Sequence, residues 1–231
     1  MTQIRAVLLD IEGTTSPIAF VRDVLFPYAR AHLPALLASR ADDPEVAAEI
    51  AAVQALEPGR DPLACLLGWM DQDAKITPLK ALQGVLWREG YESGALRGAF
   101  HADAPAALAA WHRAGLRLMI YSSGSVEAQQ LIFRHSVVGD LSGLISGWFD
   151  TRIGAKREAA SYRRIAAEAG LKAGEIAFLS DIGPELDAAR EAGMATCQLV
   201  RAEDGTVAAG NHPHAADLPG AGRVLGLAEP A

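Results

Sequence analysis

Cysteine is scarce: the 231 residues hold only Cys65 and Cys197, with no Cys-x-x-Cys pair and no histidine at zinc-ligand spacing. A disulfide framework and a structural zinc site are thereby excluded, and two reduced, buried thiols of a cytosolic protein are expected. Long apolar runs are missing as well. Acidic or basic residues recur throughout, so no window approaches the roughly 18 uninterrupted apolar residues of a membrane span. Ala6 to Leu9, the only apolar run near the N-terminus, is read as too short for a signal peptide. Positive charge is in deficit, 21 Lys and Arg against 28 Asp and Glu for a net charge of −7. Such a chain has no general attraction for nucleic acid or an anionic membrane, and no basic patch with interleaved aromatics offsets this. An anionic substrate has to be held by a local site.

Half of the residues are hydrophobic, enough for one sizeable core with an insertion. Short apolar runs end in polar residues at Ala6-Val7-Leu8-Leu9 before Asp10, at Leu116 to Tyr121 before Ser122, at Glu175 to Leu179 before Ser180-Asp181, and at Thr196 to Val200. Helical patterns lie between them, Asp103 to Ala114 closing with Gly115 and Glu158 to Ala169 closing with Gly170. Strands alternating with helices predict an α/β fold with a doubly wound parallel sheet. The gap from Asp10 to Ser122 is several times the roughly 30 residues of one strand-helix-strand unit, so something is inserted there. Asp43-Pro44-Glu45 and Thr77-Pro78-Leu79 each place a cap residue before a first-turn proline, and Leu79, Leu82, Val85 and Leu86 keep helical spacing. Residues 18–97 are therefore read as a helical cap domain and residues 1–17 with 98–231 as the core domain. Beyond Arg201 the chain is rich in Gly, Pro and Ala and reads as loops with one short edge element, in which His212 and His214 are expected to be solvated. Trp87 and Tyr91, one helical turn apart, read first as core and second as a wall for a substrate.

Chemistry-bearing residues collect at the carboxyl ends of the expected strands, where open parallel sheets place their ligands. If the first strand persists, Asp10 and Glu12 project to the same side. A carboxylate there can attack phosphorus while a second protonates the leaving oxygen and later activates water, roles assigned to Asp10 and Glu12. Asp181 completes an oxygen-ligand site for Mg²⁺, with Glu185 bracing it. Ser122-Ser123-Gly124-Ser125 before a helix suits a phosphate, and Lys156 supplies fixed positive charge. Taken singly, an Asp-x-Glu is a solvated turn, a serine-rich stretch a loop and a lysine a surface charge. At equivalent strand and helix ends they form the set that phosphoryl transfer through an aspartate requires.

Through Asp10-Ile11-Glu12-Gly13-Thr14, Ser122, Lys156 and Ser180-Asp181 the whole chain resembles the haloacid dehalogenase superfamily. Longer strings, Asp10 to Ile18, Trp87-Arg88-Glu89-Gly90-Tyr91, Tyr121 to Ser125 and Phe149 to Lys156, are similar to the enolase-phosphatase family of methionine salvage. The resemblance implies a bifunctional enzyme with one Mg²⁺ per chain. It would enolise 2,3-diketo-5-methylthiopentyl-1-phosphate and then remove its phosphate to give an acireductone. It also implies Asp10, Glu12 and Asp181 as the metal site and Ser122, Ser123 and Lys156 as phosphate and substrate contacts. The expected partner is this small phosphorylated diketone, with no nucleic acid and no membrane, and the expected state is a cytoplasmic monomer. Glu12 departs from the wider superfamily, which usually has Asp there, a departure that the enolase-phosphatases share. Arg152 stands where a small polar residue is expected, and residues 205–231 match no motif. Two other classes stay open: a phosphatase for another small metabolite or a metal-free dehalogenase, and a silent scaffold. Glu12 and Asp181 argue against the dehalogenase, and retention of Asp10, Lys156 and Asp181 against the scaffold.

Overall fold

The computed structural model describes residues 3–227. In chain order the elements are β1 (Ala6–Leu9), α1 (Ile18–Phe20) running through a π-helical turn (Val21–Leu25) into α2 (Phe26–Ser39), α3 (Pro44–Leu56), α4 (Pro62–Asp71), α5 (Thr77–Glu92) and α6 (Ala104–Arg113). They continue as β2 (Arg117–Tyr121), α7 (Val126–Arg134), β3 (Ile145–Phe149), α8 (Ala159–Glu168), β4 (Ile176–Ser180), α9 (Gly183–Glu191), β5 (Ala195–Leu199), β6 (His214–Ala215) and α10 (Leu218–Leu225). Two compact units emerge among the described residues, one of residues 3–18 with 97–227 and one of Ala19–Leu96.

The first unit is built on a parallel sheet ordered β3-β2-β1-β4-β5-β6. Central β1 is buried on both faces, which is why its four residues are uninterrupted Ala, Val and Leu. α8 and α9 pack Tyr162, Ile165, Ala166, Leu186 and Ala189 against Leu8, Met119 and Phe178. The second unit packs Leu33 and Leu36 of α2, Val46 and Val53 of α3, Leu66 of α4 and Leu79, Leu82, Val85 and Leu86 of α5 around its own apolar core. Asp43 caps α3 by accepting from Glu45 N at 3.0 Å. At α5 the cap lies one residue earlier than expected: Ile76 precedes the helix and Thr77 sits in its first turn. Trp87 donates to Leu25 O at 2.9 Å and stacks on Phe26, and Tyr91 is buried, the packing expected of core aromatics.

The region beyond Arg201 is more ordered than its composition indicates. β6 is the short edge element expected there, extending the sheet parallel to β5, and α10, which was not expected, follows, capped by Asp217 accepting from Gly220 N at 2.6 Å. His214 is exposed as expected, but His212 is buried, not solvated: Thr196 Oγ1 lies 3.0 Å from its Nδ1 and Asp187 Oδ1 3.1 Å from its Nε2. The stretch read as tail extends beyond the described residues at 228–231. Among the described residues no helix is long and apolar enough to cross a membrane.

Candidate active site

The strand register brings three loops to one edge of the sheet. Leu9 lies opposite both Ile120 and Leu179, so Asp10, Tyr121-Ser122 and Ser180-Asp181 leave the sheet at matching levels. The first strand does not persist as the alternation of Asp10 and Glu12 requires: β1 ends at Leu9, and the chain bends at Ile11. Asp10 Oδ1 accepts from Ile11 N at 2.7 Å, while Thr15 N and Ser16 N both turn back to Ile11 O. Gly13 takes φ +71 in this turn, and a Cβ there would lie 2.6 Å from Asp181 Oδ2, so glycine meets both the backbone and the space available. The turn buries Asp10 and leaves Glu12 exposed. Glu12 therefore owes its position to a tight loop rather than to strand periodicity.

Lys156 lies between two carboxylates, its Nζ 2.8 Å from Asp10 Oδ2 and 2.6 Å from Glu185 Oε2, with its side chain only 10% exposed. The Ser180 hydroxyl sits 3.4 Å from Asp10 Oδ2 and 3.2 Å from Glu185 Oε2, so its single proton serves one of them at a time. Burial works to lower the Lys156 pKa, but the charges of Asp10 and Glu185 outweigh it and hold the ammonium above its ordinary value. Burial first, and the Asp10 charge second, push Asp181 up to about 7 and Glu185 likewise to about 7. Three buried carboxyl groups thus face one ammonium, a surplus of negative charge.

Asp181 Oδ1 is buried and has no hydrogen-bond partner among the described residues. An oxygen left in this way among excess carboxylates fits a hard cation. No group of three or more His, Cys, Asp or Glu side chains is arranged as a metal cage among the described residues. Asp10 and Asp181 instead offer the one or two carboxylates by which Mg²⁺ is usually held, its other positions left for water and substrate oxygens.

At the end of β2, Ser122 N donates to Phe149 O and Ser122 Oγ accepts from Gly124 N at 3.3 Å. Ser125 caps α7 by accepting from Ala128 N, and the Gln129 amide fixes the loop through Gly124 O and Phe149 O, both at 2.8 Å. Ser122 is half-buried and Ser123 exposed, in a loop opening onto a helix N-terminus that favours anions. Arg152 is accommodated where a small residue was expected because its guanidinium points outward and pairs with Asp150 Oδ2 at 2.8 Å.

Two features have no local signal in the sequence. One is the grip of Glu185 on Lys156, two residues far apart in the chain. The other is Arg201, 1% exposed, which donates to Thr14 O at 3.0 and 2.8 Å and to Asp103 Oδ1 and Oδ2 at 2.9 and 3.0 Å. This fork ties the Asp10 loop to the start of α6, and Asp103 also accepts from Leu218 N at 2.8 Å. Arg201→Met should cost about 3–5 kcal/mol of folding stability, because it strips the half-buried Asp103 carboxylate of its counter-ion, leaving it only the Leu218 amide, and leaves the buried Thr14 carbonyl without its donor. Urea unfolding measures it; a loss below about 1 kcal/mol would mean that the network is dispensable.

Residues 4–193 match the family model for haloacid dehalogenase-like hydrolases. The enolase-phosphatase E1 of Granulibacter bethesdensis is 60% identical over 98% of this chain and 98% of its own. That of Pseudomonas syringae pv. tomato is 57% identical over 91% of this chain and 94% of its own. Among solved structures, the Unknown transcript 4 protein of Saccharomyces cerevisiae superposes with a TM-score of 0.79 at 35% identity, covering 93% of this chain and 98% of that one. Matching the family model over most of its length, and these relatives along nearly all of it, the chain belongs to the haloacid dehalogenase-like hydrolases and, within them, to the enolase-phosphatase family.

Proposed function

We propose that this enzyme enolises 2,3-diketo-5-methylthiopentyl-1-phosphate and hydrolyses the resulting enol phosphate to the acireductone of methionine salvage. The observation that carries the phosphatase half is the buried Asp10, held 2.8 Å from the Lys156 ammonium at the sheet edge. The name shared by relatives at 57–60% identity supplies the enolase half, and the substrate is the one that the resemblance of the motifs to the enolase-phosphatase family implies. Both cysteines are buried and free, which accords with work in the cytoplasm; the enzyme acts there as a monomer, with residues 18–97 as its cap domain.

Enolisation moves a proton from C1 to the C2 oxygen. The Asp10 carboxylate then attacks phosphorus, and the bond from phosphorus to the C1 oxygen breaks. Glu12 gives that oxygen a proton, regains one from water, and so directs the water to the aspartyl-phosphate; cleavage of the new bond returns Asp10 and releases inorganic phosphate. Lys156 offsets charge on the transferring oxygens, and Ser122 and Ser123 donate to them. Asp10 and Asp181, with Glu12, are the residues that would hold Mg²⁺. When bound, the metal supplies positive charge that lets a dianionic phosphate approach Asp10.

Phosphate release from this substrate should therefore require Mg²⁺, stop with EDTA and return when the metal is restored. Asp181→Asn should need at least about tenfold more Mg²⁺ for half-maximal rate, since it loses one of the anionic ligands. Full activity in EDTA, an unchanged Mg²⁺ requirement in the variant, or equal turnover of a generic phosphate ester would each defeat the reading.

A further inference from the structure

The segment leading into Lys156 lies between β3 and α8, outside any strand or helix ladder, and its own backbone bonds are tight turns such as Gly154 N to Thr151 O and Glu158 N to Ala155 O. Its carbonyl oxygens are instead held one after another by side chains. Arg164, facing solvent, donates to Ile153 O at 2.8 Å, Tyr121 to Gly154 O at 2.8 Å, Ser161 to Ala155 O at 2.8 Å and Tyr162 to Lys156 O at 2.7 Å. Gly154 adopts φ +141, and a Cβ there would come 2.2 Å from Ser161 Oγ, so the backbone lies against that side chain as only glycine permits.

The three inner donors are themselves buried. Tyr121, Ser161 and Tyr162 are fully shielded, and the Tyr162 ring meets Tyr121 edge-on at 5.5 Å and Phe178 at 5.0 Å. Burial, the largest influence on both phenols, raises their pKa, so each remains a hydroxyl donor. The Tyr121 ring also lies beneath the Lys156 ammonium, 5.8 Å from its centroid. A lysine stem has four rotatable bonds, and its head acts in catalysis only where the main chain that carries it is fixed. A shift of about 1 Å in such a group costs on the order of 100-fold in rate.

We propose that Tyr121, Ser161 and Tyr162 are positioning residues: by holding the carbonyls of Gly154, Ala155 and Lys156 they set the Lys156 ammonium against Asp10. The proposal rests on the catalytic reading of Lys156. Tyr162→Phe removes one hydroxyl, keeps the packed ring and leaves Lys156 O without its donor. It should lower kcat/KM for phosphate release about tenfold in the otherwise natural enzyme. In a Lys156→Met background the same change should alter the residual rate less than about twofold, because there is no ammonium left to position. Urea midpoints should fall equally in the two backgrounds, which separates the rate effect from a general loss of stability. An effect below about twofold in the natural enzyme, or an equal factor in both backgrounds, overturns the proposal while leaving Lys156 catalytic. A Lys156→Met enzyme within about threefold of the natural rate overturns both.

Discussion

Asp10→Asn should release phosphate at least about four orders of magnitude more slowly than the natural enzyme, with its fold intact. The amide is nearly isosteric, and its oxygen can still accept from Ile11 N, as Asp10 Oδ1 does at 2.7 Å. Lys156 keeps a carboxylate at 2.6 Å in Glu185, so the buried ammonium is not stranded. What is lost is the nucleophile: an amide oxygen does not form the acyl phosphate. Proton abstraction from carbon needs the metal and a base but no phosphoenzyme, so at saturating Mg²⁺, which offsets the loss of one anionic ligand, the variant should still enolise its substrate and accumulate the enol phosphate. Enol absorbance rising without inorganic phosphate is the signature to follow. Phosphate release near the natural rate would remove Asp10 from the chemistry.

Lys156→Met should lower kcat/KM for phosphate release by about two or more orders of magnitude. Methionine fills most of the apolar stem, so the change is chiefly one of charge. Two buried carboxylates, Asp10 and Glu185, then face each other without the ammonium that lies between them at 2.8 and 2.6 Å. A dianionic phosphate entering this site meets more negative charge and no fixed positive group. Steady-state kinetics measure the loss, with circular dichroism to verify the fold. A lysine on the solvated surface would make the substitution nearly silent, and a rate within about threefold of natural would return Lys156 to that class.

Most of the sheet was legible because its inner strands are short apolar runs cut off by polar residues. β1, β2, β4 and β5 all read in this way, and three of them end on residues of the candidate site. β3 did not, since Ser146 and Gly147 interrupt its apolar pattern and most of the strand is only half-buried. β6 is two residues long, and α10 contains Pro219, Gly220 and Gly222, a composition that reads as loop until Leu218 and Ala221 are seen buried against the core. For the site, the positions of Asp10, Ser122, Lys156 and Asp181 at equivalent ends of elements could be read from one dimension. The setting of Glu12 could not, because the bend at Ile11 and the left-handed Gly13 decide it. Nor could the contact of Glu185 with Lys156, the Arg201 fork or the two partners of His212, all of which join residues distant in the chain. The row of side chains holding residues 153–156 was not legible either, since no local signal sets the hydroxyls of Tyr121, Ser161 and Tyr162 against those carbonyls.

Trapping the covalent intermediate tests directly whether Asp10 is the nucleophile. Turnover with the diketone phosphate and Mg²⁺ would be stopped at successive times, the acyl phosphate reduced with borohydride, and the peptides mapped by mass spectrometry. One reduced carboxyl is expected, at Asp10, appearing during turnover and absent without substrate. Reduction at any other carboxylate, or phosphate release at the full rate with Asp10 unreduced at every time, would contradict it.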